Sequence, residues 1–481
     1  MLNLIAAASL ATTKPNIIFI LADDLGYGEL GCYGQTKIKT PNIDRLAREG
    51  IRFTQFYSGS PVCAPSRCTL LTGLHTGHAY VRDNYEFGGF EPDSKEGQLP
   101  LPDGTFTVAR LLKSQGYAAA AMGKWGLGGP DSSGHPLKQG FDHFFGVLCQ
   151  RQAHNHYPDH LWQDFTLYPL DNPTFSAHQK LAKPPADPKA YDRYRGSEYT
   201  SDLVTREALS FVRTNRDRPF FLYLPYPVPH AALQVPEDSL ADYESVFEET
   251  PYLGNQGYLP HRKPRAAYAA MVSRMDRHIG QVRATLEDLG IAKNTLIIFS
   301  SDNGPTFNGG TDSKFFQSAG PLRDLKTSVF EGGIRVPFVA WWPDRIKPGQ
   351  VSKHVGAFWD FLPTVADLLR VPMLTTDGVS FLSTLTGRGR QKTHPYLYWE
   401  FHSGGGLQAL RKGDWKAVRR QVKKNPQGPI MLFDLGNDIG ESTDIAKKHP
   451  KVVAELDRLM QKARTRSVVE DWNFGARPSR P

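Results

Sequence analysis

Cysteine is scarce: Cys32, Cys63, Cys68 and Cys149 are the only four in 481 residues. That is too few for a disulfide framework and does not decide the compartment. Long apolar runs are missing as well. The longest near the start, Leu2 to Ala11, is about half of what a helix needs to cross a bilayer, so no membrane span is expected. No zinc-finger spacing or aromatic RNA-binding motif accompanies the basic residues, which leaves no case for nucleic acid as a partner. Internal repeats and low-complexity tracts are absent too. Acidic residues are outnumbered, 49 Asp plus Glu against 57 Lys plus Arg, for a net charge of +8. The excess fits an anionic substrate, although a solvated basic surface gives the same balance.

What is present is ordinary globular composition, with 40% hydrophobic and 22% charged residues, enough to bury a sizeable core. At this length one large domain plus a smaller one is expected. Residues 1–13 carry an apolar body and a small-residue end with no Lys or Arg in front. They read as a signal peptide or a disordered tail, and a periplasmic or secreted location is expected. Short apolar runs then recur, each closed by polar residues, Gly or Pro: Asn16 to Leu21 before Asp23-Asp24, Tyr117 to Met122 before Gly123-Lys124, Phe220 to Leu224 before Pro225 and then His230, Thr295 to Ser300 before Asp302-Asn303, and Val336 to Trp342 before Pro343. Helical patterns such as Thr107–Lys113 and Ala266–Leu289 alternate with them. This predicts an α/β fold over 14–371: a large, doubly wound, mostly parallel sheet with its polar groups at the strand ends. Residues 372–481 predict a smaller C-terminal subdomain, an antiparallel sheet plus the helix 450–464. Residues 154–199, rich in His, Pro, Tyr and Asp, predict a long surface excursion.

Cys63-Ala64-Pro65-Ser66-Arg67 carries the most information. Pro65 suits the first position of a helix, which sets Cys63 just before a helix N-terminus, where backbone N–H groups face an anion. Arg67 lies one turn on and aims a guanidinium at the same place. A cysteine in such surroundings is ordinarily a buried small hydrophobe. Asp23, Asp24, Asp302 and Asn303 form an all-oxygen set at two strand ends, suited to a hard divalent cation; singly, each pair reads as a turn. Lys124, His230 and Lys326 are the other polar residues expected at that edge.

In its Cys-x-Pro-Ser-Arg string the chain resembles the formylglycine-dependent sulfatases of the alkaline phosphatase superfamily. The resemblance extends from Asp23-Asp24 through Gly123-Lys124-Trp125, Ser301 to Gly304 and Glu331 to Pro337. It implies that a maturation enzyme oxidises Cys63 to formylglycine. It implies one Ca²⁺ held by Asp23, Asp24, Asp302, Asn303 and residue 63. It further implies a sulfate ester gripped by Arg67, Lys124 and Lys326, with His230 protonating the departing oxygen. The expected substrate is a sulfated carbohydrate such as a galactose or N-acetylgalactosamine sulfate. One departure stands out: many sulfatases carry His two places after the Lys, where this chain has Gly126. His154, His156, His75 and His78 are candidates to replace it. Arg82, Asn84, His154 and His156 are candidate sugar contacts. Two other readings remain open, a two-zinc phosphatase or phosphodiesterase of the same superfamily and a non-catalytic glycan-binding relative.

Overall fold

The computed structural model describes residues 14–88, 95–372 and 375–475; the expected signal peptide lies outside them. The strands are β1 Asn16–Ala22, β2 Ile51–Phe53, β3 Phe56–Tyr57, β4 Ala118–Lys124, β5 His143–Val147, β6 His160–Gln163, β7 Thr166–Pro169 and β8 Phe220–Pro225. There follow β9 Thr295–Ser301, β10 Phe338–Trp341, β11 Gln350–Ser352, β12 Gly356–Ala357, β13 Leu397–Phe401, β14 Leu407–Lys412, β15 Trp415–Arg420 and β16 Ile430–Asp434. Ten of them form one sheet in the order β11-β2-β10-β9-β1-β8-β4-β5-β6-β7. Its centre, β9-β1-β8-β4-β5, is wholly parallel.

β1 shows why the sheet is covered on both sides. Every one of its residues is buried, and successive side chains point to opposite faces. Ile17, Phe19 and Leu21 pack with helices Cys63–Thr72, Val108–Ser114 and Phe361–Leu369. Ile18, Ile20 and Ala22 pack with helices Pro41–Glu49, Thr200–Thr214 and Pro264–Asp288. A continuous apolar run is what a strand sandwiched in this way requires.

The C-terminal sheet runs β13-β14-β15-β16, antiparallel throughout. Helix Pro450–Lys462 covers one face through Leu456 and Met460. The other face, with Trp399, Ala409, Val418 and Phe433, shares a cluster with Tyr57, Val62, Val329 and Trp359 of the main body. A buried ion-pair chain crosses this seam: Lys416 Nζ lies 2.8 Å from Glu331 and 2.9 Å from Glu441.

One expectation is corrected and two elements are added to those the sequence suggested. The run 336–342 forms β10, which pairs antiparallel with both β9 and β2. The excursion 154–199 is not wholly irregular, since the β6–β7 hairpin within it extends the sheet edge. β5 completes the parallel core although its short sequence, interrupted by Gly146, gives no clear strand signal.

Candidate active site

The carboxyl ends of β1, β4, β8 and β9 converge on the N-terminus of helix Cys63–Thr72. That helix is unusual in having all ten residues buried. It tolerates burial because its hydroxyls bond back to its own turns, Thr69 Oγ1 to Ser66 O and Thr72 Oγ1 to Cys68 O, both at 2.7 Å. Cys63 is its first residue rather than the one before it, and Val62 is the N-cap. Pro65 therefore falls in the first turn, where its missing N–H would have had no intrahelical partner. Asn84 Oδ1 accepts the free Ala64 N–H at 3.0 Å. Cys63 is 2% exposed, so the cradle is enclosed rather than open to solvent.

Around the thiol, Asp23 Oδ1 lies 3.4 Å from Sγ, Asp24 Oδ1 4.0 Å and Lys326 Nζ 3.6 Å. Asp24 takes a left-handed backbone conformation, φ 68°, which Asp tolerates better than most residues. Lys124 Nζ donates to Asp23 Oδ2 at 2.6 Å and Lys326 Nζ to Asp24 Oδ2 at 2.8 Å. Arg67 donates through Nε and Nη2 to Asp302 Oδ2, at 3.1 and 2.8 Å, and through Nη1 to the Lys124 carbonyl. Three carboxylates thus face three fixed cations, all with buried side chains apart from a slightly exposed Lys326.

The electrostatics follow from that crowding. Burial raises the cost of ionising Asp23, but Lys124, His230, Arg67 and Lys326 outweigh it and hold its carboxyl well below the usual range. Burial and the Asp23 charge push Asp302 up to about 7 despite Arg67. Burial, with Asp23 close by, also pushes the Cys63 thiol well up, so the unmodified side chain is a poor thiolate nucleophile.

Ligand atoms of Asp23, Asp24, Cys63 and Asp302 all lie within 4.8 Å of one another. Asn303 completes the set: its Nδ2 donates to Asp24 Oδ1 at 2.7 Å, while its Oδ1 is buried with no hydrogen-bond partner. A buried, unpaired carbonyl oxygen costs about 1–3 kcal/mol, and a hard cation is the partner that oxygen chemistry favours. The donors therefore fit a divalent cation.

His230 stands at the edge of this cluster. Its Nδ1 donates to the Ala231 carbonyl at 2.5 Å, and its Nε2 is 3.6 Å from Asp24 Oδ2. His154 stacks on it, with centroids 5.0 Å apart and planes 9° apart.

The remaining candidates separate. His156 is fully buried and its Nε2 donates to His230 O at 2.8 Å, so it braces the His230 loop and is not a sugar contact. Arg82 is not one either. It is 2% exposed, and its guanidinium is spent on Ala79 O, Glu400 and Thr465 in the C-terminal seam. His75 and His78 pair with Asp377 beyond the far end of the Cys63 helix, about 15 Å along its axis, and do not replace the missing His. Gly126 has φ +78°, and a Cβ there would come within 3.0 Å of Gln150 Cγ. Gln150, which sequence reasoning missed, therefore fills the space beside Gly126. No motif marks it, and only the packing reveals it.

A family model described as sulfatase matches residues 15–371. Human N-acetylgalactosamine-6-sulfatase is 34% identical, with 98% of this chain and 88% of that protein covered. The N-acetylgalactosamine-6-O-sulfatase of Bacteroides thetaiotaomicron is 30% identical over 94% of each chain. Among solved structures, Ps i-CgsB in complex with k-i-k-neocarrahexaose is similar at TM-score 0.73 and 28% identity, covering 94% of this chain and 92% of that one. The model's span takes in every residue of the buried cluster, from Asp23 to Lys326, and on that ground the chain belongs to the sulfatase family and is a sulfuric ester hydrolase.

Proposed function

We propose that the protein removes sulfate from a sulfated carbohydrate, of the galactose or N-acetylgalactosamine class, using a formylglycine made from Cys63 by a maturation enzyme and one Ca²⁺. The observation that carries this reading is the position of Cys63: a buried helix N-terminus where three carboxylates, three cations and an orphaned amide oxygen meet. Relatives named for N-acetylgalactosamine 6-sulfate and a carrageenan oligosaccharide complex support the substrate class. A periplasmic or secreted location would suit such a substrate; among the described residues no helix is long and apolar enough to cross a membrane.

Asp23, Asp24, Asp302, Asn303 and residue 63 would hold the cation. When bound, the cation and the formylglycine supply a polarised sulfate oxygen and an activated hydroxyl nucleophile. The chain's own residues do the rest. Lys124 and Lys326 are held on the carboxylates beside residue 63, where their ammonium groups neutralise sulfate oxygens as charge develops. Arg67 is committed to Asp302 and the Lys124 carbonyl, so it fixes the positions of both groups. With its Nδ1 proton tied to Ala231 O, His230 turns Nε2 toward the reacting centre, where it can carry a proton to the departing sugar oxygen. Burial and Lys326 pull this imidazole down to about 4, so in the free protein it is neutral near pH 7.

The test is sulfate release from N-acetylgalactosamine 6-sulfate by protein co-produced with a formylglycine-generating enzyme. Release that disappears in Lys124→Ala and His230→Ala supports the reading; absence of release from any sulfated sugar by fully matured protein sinks it.

A further inference from the structure

Beside the reacting centre lies a row of three imidazoles, His230, His154 and His178, closed by Tyr258. Tyr258 sets its ring 5.5 Å from His230, 5.1 Å from His154 and 4.8 Å from His178. His178 comes from the 154–199 excursion and was not singled out by any motif. Its hydrogen bonds define the proton positions along the row. The backbone N–H of Tyr258 donates to His178 Nδ1 at 3.4 Å. That nitrogen is therefore an acceptor, and a neutral His178 carries its proton on Nε2. His178 Nε2 is 3.1 Å from His154 Nδ1, so the proton points at His154 Nδ1, which must accept. The proton of His154 is then on its own Nε2. Protonating His154 would set two N–H groups against each other across the 3.1 Å contact. Burial and the nearby His230 likewise hold His154 well below the usual histidine range.

We infer that His178 is a positioning residue that locks His154 as a neutral Nε2–H donor, and that this N–H binds an uncharged oxygen, a hydroxyl or ring oxygen, of the sugar bearing the sulfate. The inference rests on the sulfatase reading for its ligand but not for its tautomer. Among the described residues His154 Nε2 has no hydrogen-bond partner, and its ring lies flat on His230, the residue facing the leaving oxygen. A nitrogen that already carries a proton is not a general base, so His154 does not supply the role of the histidine absent at Gly126. The partner is an oxygen on the sugar, because Lys124 and Lys326 already serve the sulfate.

Matured full-length enzyme is tested as wild type, His178→Ala and His178→Gln, the last keeping an amide N–H for His154. With N-acetylgalactosamine 6-sulfate, His178→Ala should raise KM about tenfold, the worth of one lost oriented hydrogen bond, with kcat changed less than about twofold. His178→Gln should recover most of that loss. The defect should be several-fold smaller with 4-nitrophenyl sulfate, which offers no sugar oxygen. Independently of turnover, selective ¹⁵N-histidine NMR, with His154 assigned through His154→Ala, should show the Nε2–H form in wild type and a tautomer mixture in His178→Ala. A Nδ1–H form in wild type, or a fall confined to kcat, overturns the inference. If no ester is cleaved by wild type, the sulfatase reading fails, and the ¹⁵N spectrum still decides whether His178 fixes the His154 proton.

Discussion

Arg82→Gln separates a structural role from a substrate role more cleanly than any other change in this molecule. In sequence Arg82 is a basic residue near the catalytic string and reads as a sugar contact. In the structure it ties the 79–82 segment to the C-terminal sheet: Nη1 lies 2.9 Å from Glu400 Oε1 and 2.9 Å from Thr465 O, and Nε lies 3.0 Å from Ala79 O. Removing one member of a buried ion pair costs about 3–5 kcal/mol, because the other is left uncompensated. Glu400 keeps Arg464 Nε and the Tyr398 hydroxyl, both at 2.8 Å, which places the loss near the lower end, about 3 kcal/mol. Guanidinium unfolding followed by tryptophan fluorescence reads this directly, since Trp399 and Trp472 sit in the same seam. KM for the sulfated sugar should stay within about twofold, because no interaction with the substrate is removed. An unfolding curve superimposable on wild type together with a tenfold higher KM would refute the structural assignment and restore the sugar-binding one.

Glu400 itself gives a pH prediction. Burial opposes its ionisation, but His402 and Arg464 outweigh burial and hold it at about 2. An unfolded Glu titrates near 4.3, so the pairing stabilises the fold fully above about pH 5, and that contribution, about 3 kcal/mol, is lost as pH falls toward 2. Acid titration of unfolding should show this slope in wild type and not in Glu400→Gln. Chelation should remove most sulfatase activity, and Ca²⁺ should restore it better than Zn²⁺, since the donors other than residue 63 are all oxygens; stoichiometric zinc in active protein would count against the site. Cys63→Ala should abolish sulfate release while shifting stability by no more than about 1–2 kcal/mol, because little side-chain volume is lost; retained turnover would remove the nucleophile assignment. Gly126→His should not raise kcat and should destabilise by at least about 1–2 kcal/mol, because φ is +78° and Gln150 occupies the space; a rise in kcat would show that the place is functionally open.

The parallel core was legible because β1, β8 and β9 are continuous apolar runs, the pattern that double-sided burial demands. Grouping Asp23, Asp24, Cys63, Arg67, Lys124 and Asp302 at one edge followed from placing each at or just after a strand end or on the helix that faces it, whereas Lys326 lies in a loop that carries no such signal. What was not legible depended on distant packing. Nothing in the sequence around Arg82 reveals that Glu400, more than three hundred residues on, claims its guanidinium. Gln150 and His178 matter through neighbours brought in by the excursion and by the β4–β5 edge, and neither lies in a motif. β10 looked like another parallel strand because strand direction is set by connections, which local hydrophobicity does not encode.

The central claim joins one residue to one reaction, and a single plot tests it. Preparations matured to different extents should be assayed for sulfate released from N-acetylgalactosamine 6-sulfate, against the fraction of residue 63 that mass spectrometry finds as formylglycine. The account predicts a straight line through the origin. Sulfate release that does not depend on that fraction, or none at full conversion, would contradict it.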